Sequence, residues 1–306
     1  MAPEQERSAD LTSSVTALAR KRGALIMAHS YQPAEIQDAA DFVGDSLELC
    51  RAAASAPEEI IVLCGVRFMA ETASVLAPRK LVIHPVPEAG CPLADSMTAA
   101  DMRAMKAAFP AALPVVYVNS SMELKALSYA CCTSANAVQA VESVPSGEVI
   151  FGPDRNLGVF VSRRTGKVVR VFPGGCPPHA RADVSDLRTR IAEWPDAEVL
   201  VHPETPPEAW DLATAVLGTG GMIRHVGRSS ATRFLIGTEG GFVHRLNKLF
   251  PDKQFLAVGR ISCPNMKKIT LESLSASLED LEPVVTVEPT LARQALAAIE
   301  RMVGIG

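Results

Sequence analysis

The sequence predicts an α/β protein of parallel sheets, built as three similar units. Short apolar runs, LIMAH, VVYVN and VLVHP among them, are rich in β-branched residues and read as strands buried on both faces. The stretches between such runs have the length of the crossover helices that parallel strands require. The succession strand, polar turn, helix, strand, glycine or proline turn, helix, strand, loop, cysteine occurs three times in order.

The first unit runs ALIMAHSYQPAEIQDAADF, EEIIVLCGVRFMAETASVL and KLVIHPVPEAGC. The second runs PVVYVNSSMELKALSYA, GEVIFGPDRNLGVFVSRRT and KVVRVFPGGC. The third runs EVLVHPETPPEAWDLATAV, TRFLIGTEGGFVHRLNKLF and KQFLAVGRISC, and an amphipathic helix, PTLARQALAAIERMV, closes the chain. We therefore expect three-layer αβα domains at residues 1–108, 109–193 and 194–306, the last carrying the final helix.

Composition narrows the function classes. The 306 residues are 48% apolar and 21% charged, with net charge −4, which is ordinary for a soluble globular protein. No basic stripe marks a nucleic-acid surface and no polybasic helix marks an anionic membrane. No apolar run approaches the ~18 residues of a membrane span. The opening MAPEQERSADLTSS lacks the pattern of a signal peptide, so the expected location is the cytoplasm.

The seven cysteines separate into two sets. Cys50 sits in a helical pattern, Cys64 ends the run IIVLC, and Cys131 and Cys132 are adjacent in SYACCTS; such cysteines usually pack as small hydrophobes. Cys91, Cys176 and Cys263 each precede a proline, follow a strand-like run and stand in a polar or glycine-rich loop, 85 and 87 residues apart. Ligands of parallel α/β sheets bind beyond the carboxyl ends of the strands. There the first strands deliver His29, Asn119 and His202, read as equivalent positions and followed by Tyr31, Ser120 and Glu204. If the units pack with pseudo-threefold symmetry, three cysteines and three polar strand ends converge on a central cavity. One such residue alone is better read as a turn residue or cap; three in equivalent places favour a site. Three thiolates point to a metal. Structural zinc wants four ligands, mostly from CxxC-type spacings absent here, whereas a [4Fe–4S] cluster held by three cysteines leaves one iron open as a Lewis acid.

The motifs HSYQPAEIQDAADFVGDSLELCR, CGVRFMAETA, EAGCPLADS, YVNSSMELKAL, CTSANAV, PDRNLG, HPE, IGTEGG and CPNMKKITLESL, in this order from about residue 24 to about residue 300, resemble the quinolinate synthase family. The resemblance implies three α/β domains in a triangle around a [4Fe–4S] cluster. It implies condensation of iminoaspartate with dihydroxyacetone phosphate to quinolinate, with loss of phosphate and two waters, in NAD biosynthesis. It also implies functional coupling to an enzyme that produces iminoaspartate. By resemblance Cys91, Cys176 and Cys263 are cluster ligands. His29, Ser46, Tyr117, Asn119, Ser134, His179, His202, Glu204 and Thr219 match substrate-contacting positions, and Tyr31, with His202 and Glu204, matches the proton-transfer chemistry. The chain departs from the pattern at Gly218, where a serine is usual before Thr219, and in PGGC, where glycine replaces a larger residue. Backbone N–H groups of Gly218, Gly220 and Gly221 are candidates to replace the missing hydroxyl. Cys263 also lacks the nearby CxxC that some members carry.

Other readings stay open at this level. A radical S-adenosylmethionine enzyme of the diphthamide type shares three cysteines and three domains, but HPE, YVN and CPNMKK speak against it. A paralogue acting on a related imine, or a non-enzymatic iron–sulfur sensor, is a further alternative. A sensor has no need of His29, Tyr31 and Glu204 together.

Overall fold

Each of the three repeats forms one four-stranded, all-parallel sheet. The computed structural model describes residues 2–305; Met1 and Gly306, the outer bounds of the first and third expected domains, lie outside the described residues. The strands are β1 Ala24–His29, β2 Phe42–Gly44, β3 Ile60–Cys64 and β4 Leu81–Ile83; β5 Leu113–Tyr117, β6 Ala130–Cys132, β7 Glu148–Gly152 and β8 Val168–Val171; β9 Glu198–Val201, β10 Ala215–Val216, β11 Arg233–Gly237 and β12 Gln254–Ala257. The sheet orders are β2-β1-β3-β4, β6-β5-β7-β8 and β10-β9-β11-β12. The sequence pattern predicts three strands per unit. The fourth, β2, β6 or β10, is a two- or three-residue edge strand, too short to show a period.

The strand order explains where a site forms. In each sheet the chain leaves its first strand to one side and returns to pair on the other. That reversal opens a crevice between the carboxyl ends of the two central strands. Register defines equivalent positions there. The last pairs of the central strands are Ala28 with Cys64, Val116 with Gly152, and Val201 with Gly237. The next residues are therefore His29, Tyr117 and His202, and two further on stand Tyr31, Asn119 and Glu204. The expected equivalence of Asn119 with His29 and His202 is thus corrected: Tyr117 holds that place, and Asn119 matches Tyr31 and Glu204.

The chain divides into two compact units, Met1–Cys91 with Cys263–Arg293, and Pro92–Ser262 with Gln294–Gly306. In the first, the N-terminal helix Ala2–Arg22 lays Val15 and Ala19 on Ile26, Ala28 and Ile83 of the sheet. Helix Leu271–Asp280, opened by a Thr270 capping box, adds Leu271, Leu274 and Leu278 to the same core. Burying each leucine stabilises by about 1.5–3 kcal/mol. The second unit contains both remaining sheets. Residues 108 and 193, the expected domain limits, are the last of helices Ala99–Ala108 and Val184–Glu193.

Candidate active site

At the ends of β5, β7, β9 and β11, in the second unit, the described side chains form a buried polar cluster. His202 and Glu204 follow β9 in a tight turn, with Thr205 N–H and Oγ–H both donating to the His202 carbonyl. Both side chains are buried and lie together, His202 Nδ1 to Glu204 Oε1 being 3.8 Å. Tyr117 donates its phenolic proton to Glu204 Oε1 at 2.6 Å. The other carboxylate oxygen lies 3.1 Å from His179 Nδ1. His179 stands on the one-turn helix Pro177–Ala180, three residues after Cys176, and the Cys176 Sγ is 3.2 Å from the same Nδ1. Its Nε2 meets Thr238 Oγ1 at 2.9 Å. His202 Nε2 meets Ser134 Oγ at 3.0 Å. Glu204 makes no capping bond to helix Pro207–Trp210, whose N-cap is Pro206, so its carboxylate serves the cluster rather than the helix.

The electrostatics follow from burial. Burial opposes ionisation of Glu204, but His179, His202 and the bonds from His179 and Tyr117 outweigh it and hold the carboxyl below the usual carboxylate range. Burial, and then the charge of Glu204, pushes Asp154 up to about 7. Of these two neighbouring carboxyls Glu204 is the one held low, by the two histidines and the Tyr117 phenol, while the two backbone N–H groups on Asp154 do not outweigh its burial. Burial lowers His202 to about 4, so its ring is neutral at pH 7.

The Cys176 loop is fixed to this cluster. Asp154, buried at the end of β7, accepts the Leu157 N–H as the N-cap of helix Arg155–Ser162 and the Cys176 N–H at 3.0 Å. Gly174 pairs with Asp154, and its carbonyl accepts the Arg155 N–H at 2.8 Å. A Cβ on Gly174 would lie 2.6 Å from the Pro153 carbonyl oxygen, so this position is restricted to glycine, whereas at Gly175 the nearest atom to such a Cβ is 3.7 Å away and the structure gives no reason for a glycine there. Gly218 has a cause similar to that of Gly174. Its Cβ would lie 2.7 Å from Ser134 Oγ, the hydroxyl already bonded to His202, so Ser134 fills the space that a side chain at 218 would need. Gly218 is the N-cap of helix Thr219–Arg228 and places the buried Thr219 at its first position.

In the first unit, His29, the last residue of β1, and Tyr31 after it have the same local geometry. The His29 Nδ1 accepts the Tyr31 N–H at 3.2 Å, as His202 Nδ1 accepts the Glu204 N–H at 3.4 Å. The His29 and Tyr31 rings meet edge to face at 4.6 Å, and both are nearly buried. Lys267, four residues past Cys263, donates to the Tyr31 carbonyl at 2.6 Å. Ser46 is the first residue of helix Ser46–Ser55, set there by an Asp45–Glu48 capping box.

All seven cysteines are thiols outside any disulfide. Cys50, Cys64, Cys131 and Cys132 are buried, and burial pushes Cys64 and Cys131 up to about 12. Cys91, Cys176 and Cys263 are half-buried, in loops that follow the last strands β4, β8 and β12.

The structure thus brings Tyr117, Ser134, Cys176, His179, His202 and Glu204 together in one cluster and places His29 and Tyr31 side by side in the other unit. Asn119 makes no bond to that cluster; its Oδ1 is buried without a partner among the described residues, as is Ser120 Oγ beside it. Sequence reasoning misses Asp154 and Thr238. Both follow the second central strand of a sheet, and attending to that strand end as well as the first would have found them.

A family model described as Quinolinate synthetase A protein matches residues 13–304. The chain is 48% identical to the quinolinate synthase of Dehalococcoides mccartyi strain CBDB1, over 96% of this chain and 98% of the relative. It is 45% identical to quinolinate synthase 2 of Methanosarcina acetivorans over 96% of each chain, and 44% identical to the quinolinate synthase of Geotalea uraniireducens over 97% of this chain and 98% of that one.

Proposed function

Since the chain belongs to the quinolinate synthase family, we propose that it condenses iminoaspartate with dihydroxyacetone phosphate to form quinolinate, releasing phosphate and two waters. The observation that carries the proposal is the buried Tyr117–Glu204–His179 cluster against Cys176. Such a cluster, with His202 beside it, would offer a proton acceptor, two imidazoles and a thiol to one substrate.

The cofactor of this reading is a [4Fe–4S] cluster on Cys91, Cys176 and Cys263. The donor chemistry fits: these are the half-buried loop thiols, whereas burial keeps Cys64 and Cys131 protonated. When bound, such a cluster supplies an iron with an open position, a Lewis acid for a substrate hydroxyl.

The remaining roles fall to the protein. Glu204 Oε2 is the proposed base that removes a substrate proton, and Tyr117 keeps Oε1 occupied and so orients it. The neutral His202 ring and Ser134 present hydrogen bonds to a substrate carboxylate, with Thr219 at a helix N-terminus beside them. Asn119 Oδ1 and Ser120 Oγ, buried without partners among the described residues, suit a polar ligand that would satisfy them. His29 and Ser46 bind substrate in the same reading, and the Tyr31 phenol moves a proton between intermediates. Burial keeps water from iminoaspartate, which hydrolyses, and the reading includes a coupled enzyme that supplies it. The three sheets are proposed as three domains, divided near residues 108 and 193. No described helix is long and apolar enough to cross a membrane.

The test is an anaerobic assay of protein reconstituted with iron and sulfide, given both substrates. Quinolinate must appear, and only when both are present. Reconstituted protein that forms none, while a supply of iminoaspartate is verified, overturns the proposal.

A further inference from the structure

We propose that in protein lacking a cluster, Cys176, His179 and Glu204 hold a single zinc ion, and that zinc there blocks iron–sulfur assembly. The second clause rests on the reading of Cys176 as a cluster ligand; the first stands without it.

One ligand atom from each of the three residues lies within 4.8 Å of the others. Cys176 Sγ to His179 Nδ1 is 3.2 Å, and Nδ1 to Glu204 Oε2 is 3.1 Å. Tetrahedral zinc, with bonds of about 2.0–2.3 Å, needs its donors about 3.3–3.6 Å apart, so those two spacings need open by only a few tenths of an ångström, and the Cys176–Glu204 spacing, within 4.8 Å, is set by rotation of the half-buried Cys176 side chain. Sulfur, nitrogen and carboxylate oxygen together favour zinc or ferrous iron over magnesium or calcium.

Each ligand is also held from behind, as ligands of built metal sites are. Thr238 Oγ1, 2.9 Å from Nε2, would accept the ring proton of metal-bound His179, so that the Nδ1 now donating to Glu204 becomes the ligand atom. Tyr117 fixes Glu204 Oε1 and leaves Oε2 for the ion. Asp154 anchors the Cys176 backbone N–H. Charge balances locally: binding releases the Cys176 thiol proton, and one thiolate with one carboxylate neutralises a dication at a site largely removed from water. Cys91 and Cys263 have no part in it. Zinc leaves its fourth position to water, but it occupies the thiolate that assembly of a cluster would need.

Metal-free protein, prepared anaerobically with chelator and reductant, is titrated with cobalt(II) as a spectroscopic stand-in for zinc. The proposal expects one cobalt per chain, a thiolate-to-cobalt charge-transfer band with intense tetrahedral d–d absorption, and displacement by one equivalent of zinc. Cys176→Ser and His179→Gln, with folding verified by circular dichroism, abolish the band. Thr238→Val, which touches no metal, weakens affinity about 10–100-fold. Cys91→Ser and Cys263→Ser leave the titration unchanged. A band that survives His179→Gln overturns the proposal. A band lost equally in Cys91→Ser places the ion among the three cysteines, which overturns the proposal and leaves the cluster reading standing. Zinc-loaded protein should take up less than about a tenth of the parent's sulfide; full uptake with zinc retained refutes the blockade. The cluster reading fails separately, if metal-free Cys91→Ser protein incorporates as much iron and sulfide as the parent.

Discussion

The turn after β1 and the turn after β9 share one backbone and carry different chemistry. In both, a histidine stands at the carboxyl end of the strand, as its last residue in β1 and directly after it in β9; its Nδ1 accepts the N–H two residues on, and its carbonyl accepts the N–H three residues on. At the second place one turn has Tyr31 and the other Glu204. Around Glu204 both carboxylate oxygens are bonded or paired. Around Tyr31, the neighbouring Ser30 Oγ and Gln32 Oε1 are buried without partners among the described residues. The repeat therefore supplies a scaffold position twice. The residue placed on it sets the chemistry, a phenol in one sheet and a held carboxylate in the other. The middle sheet puts Asn119 at that place, an amide that does not titrate.

The largest effect should come from Glu204→Gln, which removes the charge and nearly keeps the shape. Quinolinate formation should fall about 10³-fold at parental iron content. Stability should also fall, by about 1–3 kcal/mol in urea unfolding, because His179 loses a buried carboxylate partner. Parental turnover in this variant would make the carboxylate a structural group only. Tyr31→Phe sharpens the contrast. On the proposed role of its hydroxyl in proton transfer, it should lower turnover about 10²-fold, with urea unfolding unchanged. Loss of stability without loss of rate would reverse that assignment.

Gly218→Ser should restore the family's usual hydroxyl at a cost here, because its Cβ meets Ser134 Oγ at 2.7 Å. Unfolding free energy should drop by about 1–3 kcal/mol, and a second change, Ser134→Ala, should recover most of it. If the single variant is as stable as the parent, the crowding argument is wrong. The smallest effect lies away from the site. Burial disfavours the Glu198 charge, but bonds from Ser229 and from His225, at 2.7 and 2.5 Å, outweigh it and lower its pKa. A lowered carboxylate stabilises the fold above about pH 4.5, and that contribution is lost as pH falls through the folded-state value. Glu198→Gln should therefore flatten acid unfolding below pH 4.5, by about 1 kcal/mol or less for a half-exposed group. An unaltered acid profile would show that the pair contributes nothing.

Much of this was legible in the chain. The α/β repeat, the two cysteine sets and the placing of His202 with Glu204 follow from strand runs and strand ends, whereas Tyr117 is supplied only by the family resemblance. Edge strands of two or three residues carry no periodicity, so β2, β6 and β10 stayed hidden. Asn119 was misplaced by two residues because equivalence is a matter of pairing register, which depends on a partner strand. Asp154 resembles an ordinary N-cap in PDRNLG, and it is one; its second bond, to Cys176, is a long-range contact with no local signature. The return of Cys263–Arg293 to the first unit is likewise set by where Leu271, Leu274 and Leu278 find a core.

The central claim is that three loop thiols, and not the four cysteines of the strands and helices, serve the reaction. Seven single cysteine-to-serine proteins, reconstituted anaerobically, can be compared for iron, acid-labile sulfide and quinolinate formed from both substrates. The account predicts that Cys91→Ser, Cys176→Ser and Cys263→Ser lose all three quantities together, while Cys50→Ser and Cys131→Ser, if folded, keep them. A Cys176→Ser protein that retains its iron and sulfide and makes quinolinate at the parental rate would contradict it.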